Sequence, residues 1–237
     1  MGLRQEGYWE EHYKEELRNF DEDGDEGEVW FGLRLTRQIV GWLVRHLEVN
    51  KITDCSLLDI GCGNALLLCL IADKAISILR LLDDKNVNLV GVDYSESSIS
   101  LARKVVQRRN LSDRIKLRQA NILDSTSDAF DRKYKYLVDK GTLDAICLLV
   151  AESEDELLKT KTKYMETIYS LSEDGSIFVL ASCNHTEEEL IFLFDIKCCN
   201  RRSIRLMDKI EAPKITFGGK QGSQVTCIVI EFSQEDV

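Results

Sequence analysis

Leu58-Asp59-Ile60-Gly61-Cys62-Gly63-Asn64-Ala65 is the stretch that decides the fold. A short apolar run over residues 56–60 ends in two glycines separated by one residue. Leucines and alanines then recur with polar breaks from Asn64 to about Leu82. This order reads as buried strand, tight turn and helix. Glycine at 61 and 63 lets the backbone turn sharply and approach a ligand closely.

The alternation continues outward. Residues 88–92 form a second strand closed by Asp93, and Ser95 is placed to N-cap a helix whose Ile99, Ala102, Val105 and Val106 share a face. Residues 115–119 and 134–138 read as the third and fourth strands. A polar helix over 155–171 is expected to stop in the turn Ser172-Glu173-Asp174 at Gly175. Residues 177–182 make a fifth strand, and Thr186 with Glu189 forms a capping box for the next helix. Two β-rich stretches near 204–210 and 225–232 close the pattern.

Strands alternating with helices predict right-handed crossovers. The fold class is therefore α/β, a doubly wound, mainly parallel sheet of seven strands with a C-terminal antiparallel hairpin. Residues 49–237 form the domain, and residues 1–48 an acidic, helical extension packed on it.

Composition agrees with a single large domain: 237 residues, 44% hydrophobic and 30% charged, with 14 Gly and 1 Pro. The longest apolar run, residues 65–82, is broken by Asp73, Lys74 and Arg80, short of the ~20 residues needed to span a bilayer. Residues 1–30 carry no signal-peptide pattern. The expectation is a soluble, cytoplasmic monomer with access to the nucleus and no membrane partner. Of the eight cysteines none forms a C-x-x-C pair, and His12, His46 and His185 are scattered, so reduced cysteines and no metal site are expected. Cys183 and His185 are close in sequence, but no third group to orient them is indicated.

The net charge of −10 is concentrated: residues 10–28 hold ten acidic residues against Lys14 and Arg18. With no basic excess in the rest of the chain, nucleic acid is a poor partner. The acidic segment is either a solvated face or a lip that attracts a basic macromolecule.

In an open α/β sheet, ligands bind beyond the carboxyl ends of the strands. The first suspects are therefore Asp59, Gly61, Cys62 and Gly63, with Asp93 and Tyr94 at the end of the second strand. Asp93 is placed to accept hydrogen bonds from a ribose diol, and Asp59 to hold a positively charged amino-acid moiety. The third glycine of a dinucleotide loop is absent, so the pattern suits S-adenosylmethionine better than a nicotinamide dinucleotide.

At these residues the chain resembles the seven-strand, class I S-adenosylmethionine-dependent methyltransferases, which implies the Rossmann-like methyltransferase fold. The glycine loop matches Asp59-Ile60-Gly61-Cys62-Gly63, and the acidic ribose ligand matches Asp93 in Gly91-Val92-Asp93-Tyr94-Ser95. The resemblance implies Asn121, followed by Ile122, in the place of the residue that meets the adenine amino group. Ala65 stands where the family often has glycine.

A narrower resemblance covers nearly the whole chain. Tyr8-Trp9, residues 16–20, residues 24–32, Val138-Asp139-Lys140-Gly141-Thr142-Leu143-Asp144-Ala145-Ile146, Ser182-Cys183-Asn184 and Phe217-Gly218-Gly219 are similar to motifs of the protein-lysine methyltransferases that act on elongation factor 1-alpha. This implies a lysine ε-amine of that factor as the acceptor, S-adenosylmethionine as donor, S-adenosylhomocysteine as product and no metal. A small-molecule methyltransferase and a cofactor-binding scaffold without turnover are the alternatives. Asp139, at a strand end, either orients the amine or caps the following turn. Trp30 and Phe31 either fold over the cofactor and the lysine channel or anchor the core. Phe217 and Gly218 either touch substrate or form a plain hairpin turn.

Overall fold

The computed structural model describes residues 7–52, 55–78, 87–150, 153–195, 202–217 and 220–234. Two helices come first, α1 (Tyr8–Asp23) and α2 (Gly32–Val49). The alternating unit follows: β1 (Cys55–Ile60), α3 (Leu66–Ile78), β2 (Val87–Asp93), α4 (Glu96–Arg108) and β3 (Ile115–Gln119). Next are β4 (Tyr134–Lys140), α5 (Thr142–Leu149), α6 (Glu154–Leu171), β5 (Ser172–Ser182) and α7 (Glu187–Asp195). The chain finishes with β6 (Arg202–Lys209), β7 (Lys214–Phe217), β8 (Lys220–Ser223) and β9 (Thr226–Gln234).

The main sheet has seven strands in the order β3-β2-β1-β4-β5-β9-β6. All neighbours from β3 to β5 pair in parallel, while β9 runs antiparallel to both β5 and β6. β6 therefore points the same way as the parallel strands, and the carboxyl ends of β1, β2, β4, β5 and β6 share one rim. This is the expected doubly wound sheet. The reversed strand is inserted inside it, one place from the edge.

Successive strand residues face opposite layers. Leu57 and Val138 join the core under α2, α3 and α4, whereas Leu58 and Leu137 join the core under α5, α6 and α7. α2 buries Leu35, Ile39, Val40 and Leu43 on one stripe, the spacing expected of an amphipathic helix. α4 starts where its sequence says: Ser95 Oγ accepts from Ser98 N at 3.0 Å. The capping box of α7 also forms, with Thr186 N donating to Glu189 and Glu189 N to Thr186 Oγ1.

Three boundaries differ from expectation. α3 begins at Leu66, because Asn64 Oδ1 is taken by Leu66 N and Ala65 sits at φ 57; beyond Ile78 the expected helix lies outside the described residues. β5 does not wait for Gly175: it pairs from Ser172, and residues 173–176 bulge before the register resumes at Ile177 opposite Tyr136. The stretch around 217–222 is a small two-stranded sheet, β7 with β8, inserted on the rim after β6.

Candidate active site

The rim carries a cleft at the ends of β1, β2 and β4. β1 delivers Asp59, the chain turns through Gly61 at φ 65, and Cys62 N is held by Val92 O at 2.9 Å. Asp93, at the end of β2, reaches back to this turn: its Oδ2 accepts from Gly63 N at 3.1 Å and its Oδ1 from Ser95 N at 3.0 Å. The carboxylate keeps acceptor capacity for a ligand. Ser98 Oγ fastens the same turn by donating to Gly63 O at 3.0 Å. Asp59, Gly61, Cys62, Gly63, Asp93 and Tyr94, all expected from the sequence, line one cleft.

The roof of the cleft comes from the N-terminal segment. Trp9, Tyr13 and Trp30 line it, and the two tryptophans meet edge to face at 5.1 Å. The first turn of α1 is held down by Glu10, which accepts from Ser95 Oγ at 2.7 Å and from Ser97 Oγ at 2.6 Å at the start of α4. Burial alone would raise the Glu10 carboxyl, but these hydrogen bonds outweigh it and hold it below the usual range. Glu26 clamps the next turn through Arg109 and, by its carbonyl, Asn64 Nδ2 at 2.8 Å.

Trp9, Tyr13 and Lys140 were not expected in the site. Lys140 had a signal, since it follows the strand-end Asp139. Its Nζ donates to Trp30 O at 2.9 Å, tying β4 to the roof. Trp9 and Tyr13 share a face of α1 at i and i+4, but nothing local says what that face covers.

Asp139 is placed apart from the other expected residues. It is fully buried and does not line the cleft. Oδ1 accepts from Thr142 N at 2.7 Å, and Oδ2 from Leu143 N at 3.0 Å and Tyr164 Oη at 2.6 Å. The reason is Gly141, at φ 98, which reverses the chain so that α5 begins over the carboxylate. Asp139 caps α5, and the next residue, Lys140, faces the cleft.

Asn121 and Ile122 are also absent from the lining: Asn121 Oδ1 closes a local turn on Leu123 N at 2.9 Å, and Ile122 is buried in the core. Phe31, the N-cap residue of α2, packs against the core, so only Trp30 of that pair reaches the cleft. Phe217 ends β7, and Gly218 lies outside the described residues.

Burial lifts the carboxyls of Asp59 and Asp139 to about 7. A folded-state value above the unfolded one means stability present at low pH and lost as pH rises through 7. The protein is therefore expected to lose about 1 kcal/mol or more per carboxyl between pH 6 and 8. Urea unfolding across that range checks it, and Asp59→Asn should flatten the slope; a slope unaffected by the substitution would exclude Asp59 as its source.

Beside the cleft, Asp144 gathers the end of β5. Its oxygens accept from Ser182 Oγ and, at 2.7 Å, Cys183 N, and His185 Nδ1 lies 3.4 Å away. His185 Nε2 is 3.1 Å from Lys161 Nζ. The group that orients His185 thus exists, although the sequence indicated none. Cys183 is exposed rather than in the core, and desolvation with the nearby Asp144 pushes its thiol up to about 11, which makes it a poor nucleophile.

Among the described residues no group of three or more His, Cys, Asp or Glu could hold a metal, and no helix is long and apolar enough to cross a membrane. A model of the methyltransferase domain matches residues 52–229. The chain is 31% identical over 232 residues to EEF1A lysine methyltransferase 2 of Homo sapiens, covering 98% of this chain and 86% of that protein. It is 32% identical over 245 residues to the protein-lysine N-methyltransferase efm4 of Schizosaccharomyces pombe, covering 98% and 93%. Among solved structures, one from Methanococcus maripaludis, described as an S-adenosyl-L-methionine-dependent methyltransferase, matches with a TM-score of 0.59 at 14% identity, over 100% of this chain and 98% of that one. That likeness is one of fold.

Proposed function

The chain belongs to the methyltransferase-domain family, and from that premise we propose that it is a protein-lysine N-methyltransferase acting on translation elongation factor 1-alpha. S-adenosylmethionine is the donor on this reading. The observation that carries it is similarity to the lysine methyltransferases of two organisms along 98% of this chain, N-terminal roof and cleft included.

The cleft fits that donor. Asp59 is a buried carboxylate that accepts no hydrogen bond among the described residues, which suits it to an ammonium group. Asp93 retains lone pairs for a ribose diol, and the turn at Gly61 leaves room for close approach. When bound, the cofactor supplies an electrophilic methyl group on a sulfonium. Trp9, Tyr13 and Trp30 shut water out and turn aromatic surface toward a cation.

An unperturbed lysine has a pKa of about 10.4, so the acceptor must shed a proton, and a dry aromatic roof favours its neutral form. Alignment then does most of the work. The carboxylates of α1 and the loop after it give a basic protein a favourable approach.

Incubation with labelled S-adenosylmethionine and purified elongation factor 1-alpha tests the proposal. Intact mass and peptide mapping should find methyl groups on a lysine of the factor. Label confined to small molecules, or no transfer, would overturn it.

The roof makes its own prediction. Glu10→Ala removes the hydrogen bonds that hold α1 on α4 and should weaken cofactor binding about ten-fold, the loss of one charge-assisted contact. Calorimetry reads this directly, and unchanged affinity would mean that α1 is not a lid.

A further inference from the structure

Two opposite charges line the same cleft without closing on each other. Asp59, from β1, has no hydrogen-bond donor among the described residues. Lys140, at the end of the adjacent strand β4, is half-buried and gives one of its three N–H groups to Trp30 O. No carboxylate of the described residues forms an ion pair with it. Each nevertheless feels the other: burial raises Asp59 while Lys140 draws it down, and burial lowers Lys140 while Asp59 and Asp139 raise it.

Leaving the buried Asp59 with unused hydrogen-bonding capacity beside a cation that has spent one N–H of three is costly unless something else completes the pair. The chemistry of the missing group follows from the pair. A metal would find one carboxylate with a cation beside it. A phosphate would meet Lys140 but also Asp59 and Asp93. A lone amine or a lone carboxylate would satisfy one side only. An α-amino acid end, with ammonium and carboxylate on one carbon, satisfies both.

We propose that Lys140 is the receptor for the α-carboxylate of the cofactor's amino-acid end, opposite Asp59, so that the pair selects a zwitterion over an adenosine thioether that lacks one. This rests on the cofactor reading above. It makes Lys140 a specificity residue: it separates S-adenosylmethionine and S-adenosylhomocysteine from compounds sharing only their adenosine.

Calorimetry on the full chain tests it with S-adenosylhomocysteine and 5′-methylthioadenosine, which keeps the adenosine and sulfur but has no amino-acid end. The wild-type chain should bind the first about 30-fold or more tightly than the second. Lys140→Met should weaken S-adenosylhomocysteine about 10- to 100-fold, the loss of a hydrogen bond to a charged group, and shift 5′-methylthioadenosine by less than about three-fold. Retained binding of the second compound shows that the variant is folded, and Lys140→Arg, which keeps the cation, should recover most of the loss.

Lys140→Met binding both ligands as the wild type does, or weakening both by the same factor, would overturn the proposal. So would a wild-type chain that does not distinguish them. Failure of the wild-type chain to bind either compound would instead remove the cofactor reading, and this inference with it.

Discussion

Gly61→Ala should leave a chain that binds S-adenosylmethionine at least about 100-fold more weakly, the largest loss expected from removing so little. Two costs fall on one methyl group. Gly61 sits at φ 65, and a side chain in that left-handed region costs roughly 1–2 kcal/mol. The added Cβ would also land on Thr142 Oγ1, well inside contact distance. That hydroxyl cannot step aside cheaply, since it donates to Ile60 O at 2.7 Å and stands in the first turn of α5. Overpacking of this kind costs about 1–3 kcal/mol more. Relief would come by parting the β1 turn from the start of α5, which adjoin in the lining of the cleft. Calorimetry with the cofactor and urea unfolding measure the two parts. Near-native affinity would show that these walls are not rigidly joined.

The second large effect is on stability. Asp139→Ala strands three donors, Thr142 N, Leu143 N and Tyr164 Oη, around a fully buried position. At about 1–3 kcal/mol for each unsatisfied group, a loss of about 3–5 kcal/mol is expected. That is a large share of a typical domain's ~5–15 kcal/mol. Adding Tyr164→Phe should return part of it, because the phenol then has no partner to miss. Chemical denaturation of both variants, followed by turnover, separates the roles. A variant with native stability and no turnover would restore Asp139 to the reacting amine.

Asp139 also shows what a sequence can and cannot reveal. Its place at a strand end on the rim was legible, since strand ends follow from apolar runs and their stops. Which way its carboxylate turns depends on Gly141 reversing the chain and on Tyr164 arriving from α6, 25 residues later. No local pattern carries that. The β1 turn and Asp93 were legible because their function and their fold demand the same residues at the same spacing. Trp9 and Tyr13 were not, because α1 finds its place through Glu10 and two serines more than eighty positions away.

Short-range signals fared similarly. The Ser95 cap and the Thr186–Glu189 box formed as read, being complete within four residues. β7 and β8 were not legible, because four-residue strands carry too little alternation to stand out.

The reversed strand β9 lies between β5 and β6, and its Ile228, Val229, Ile230 and Phe232 are fully buried against both faces. A chain built from its amino end must therefore make β5 and β6 before β9 and keep a gap open between them. Until residues 226–234 arrive, β5 and β6 stay apart with unsatisfied edges, prone to pairing with other chains. Closure of this sheet during synthesis thus waits for β9, well after its ligand-binding half has been made.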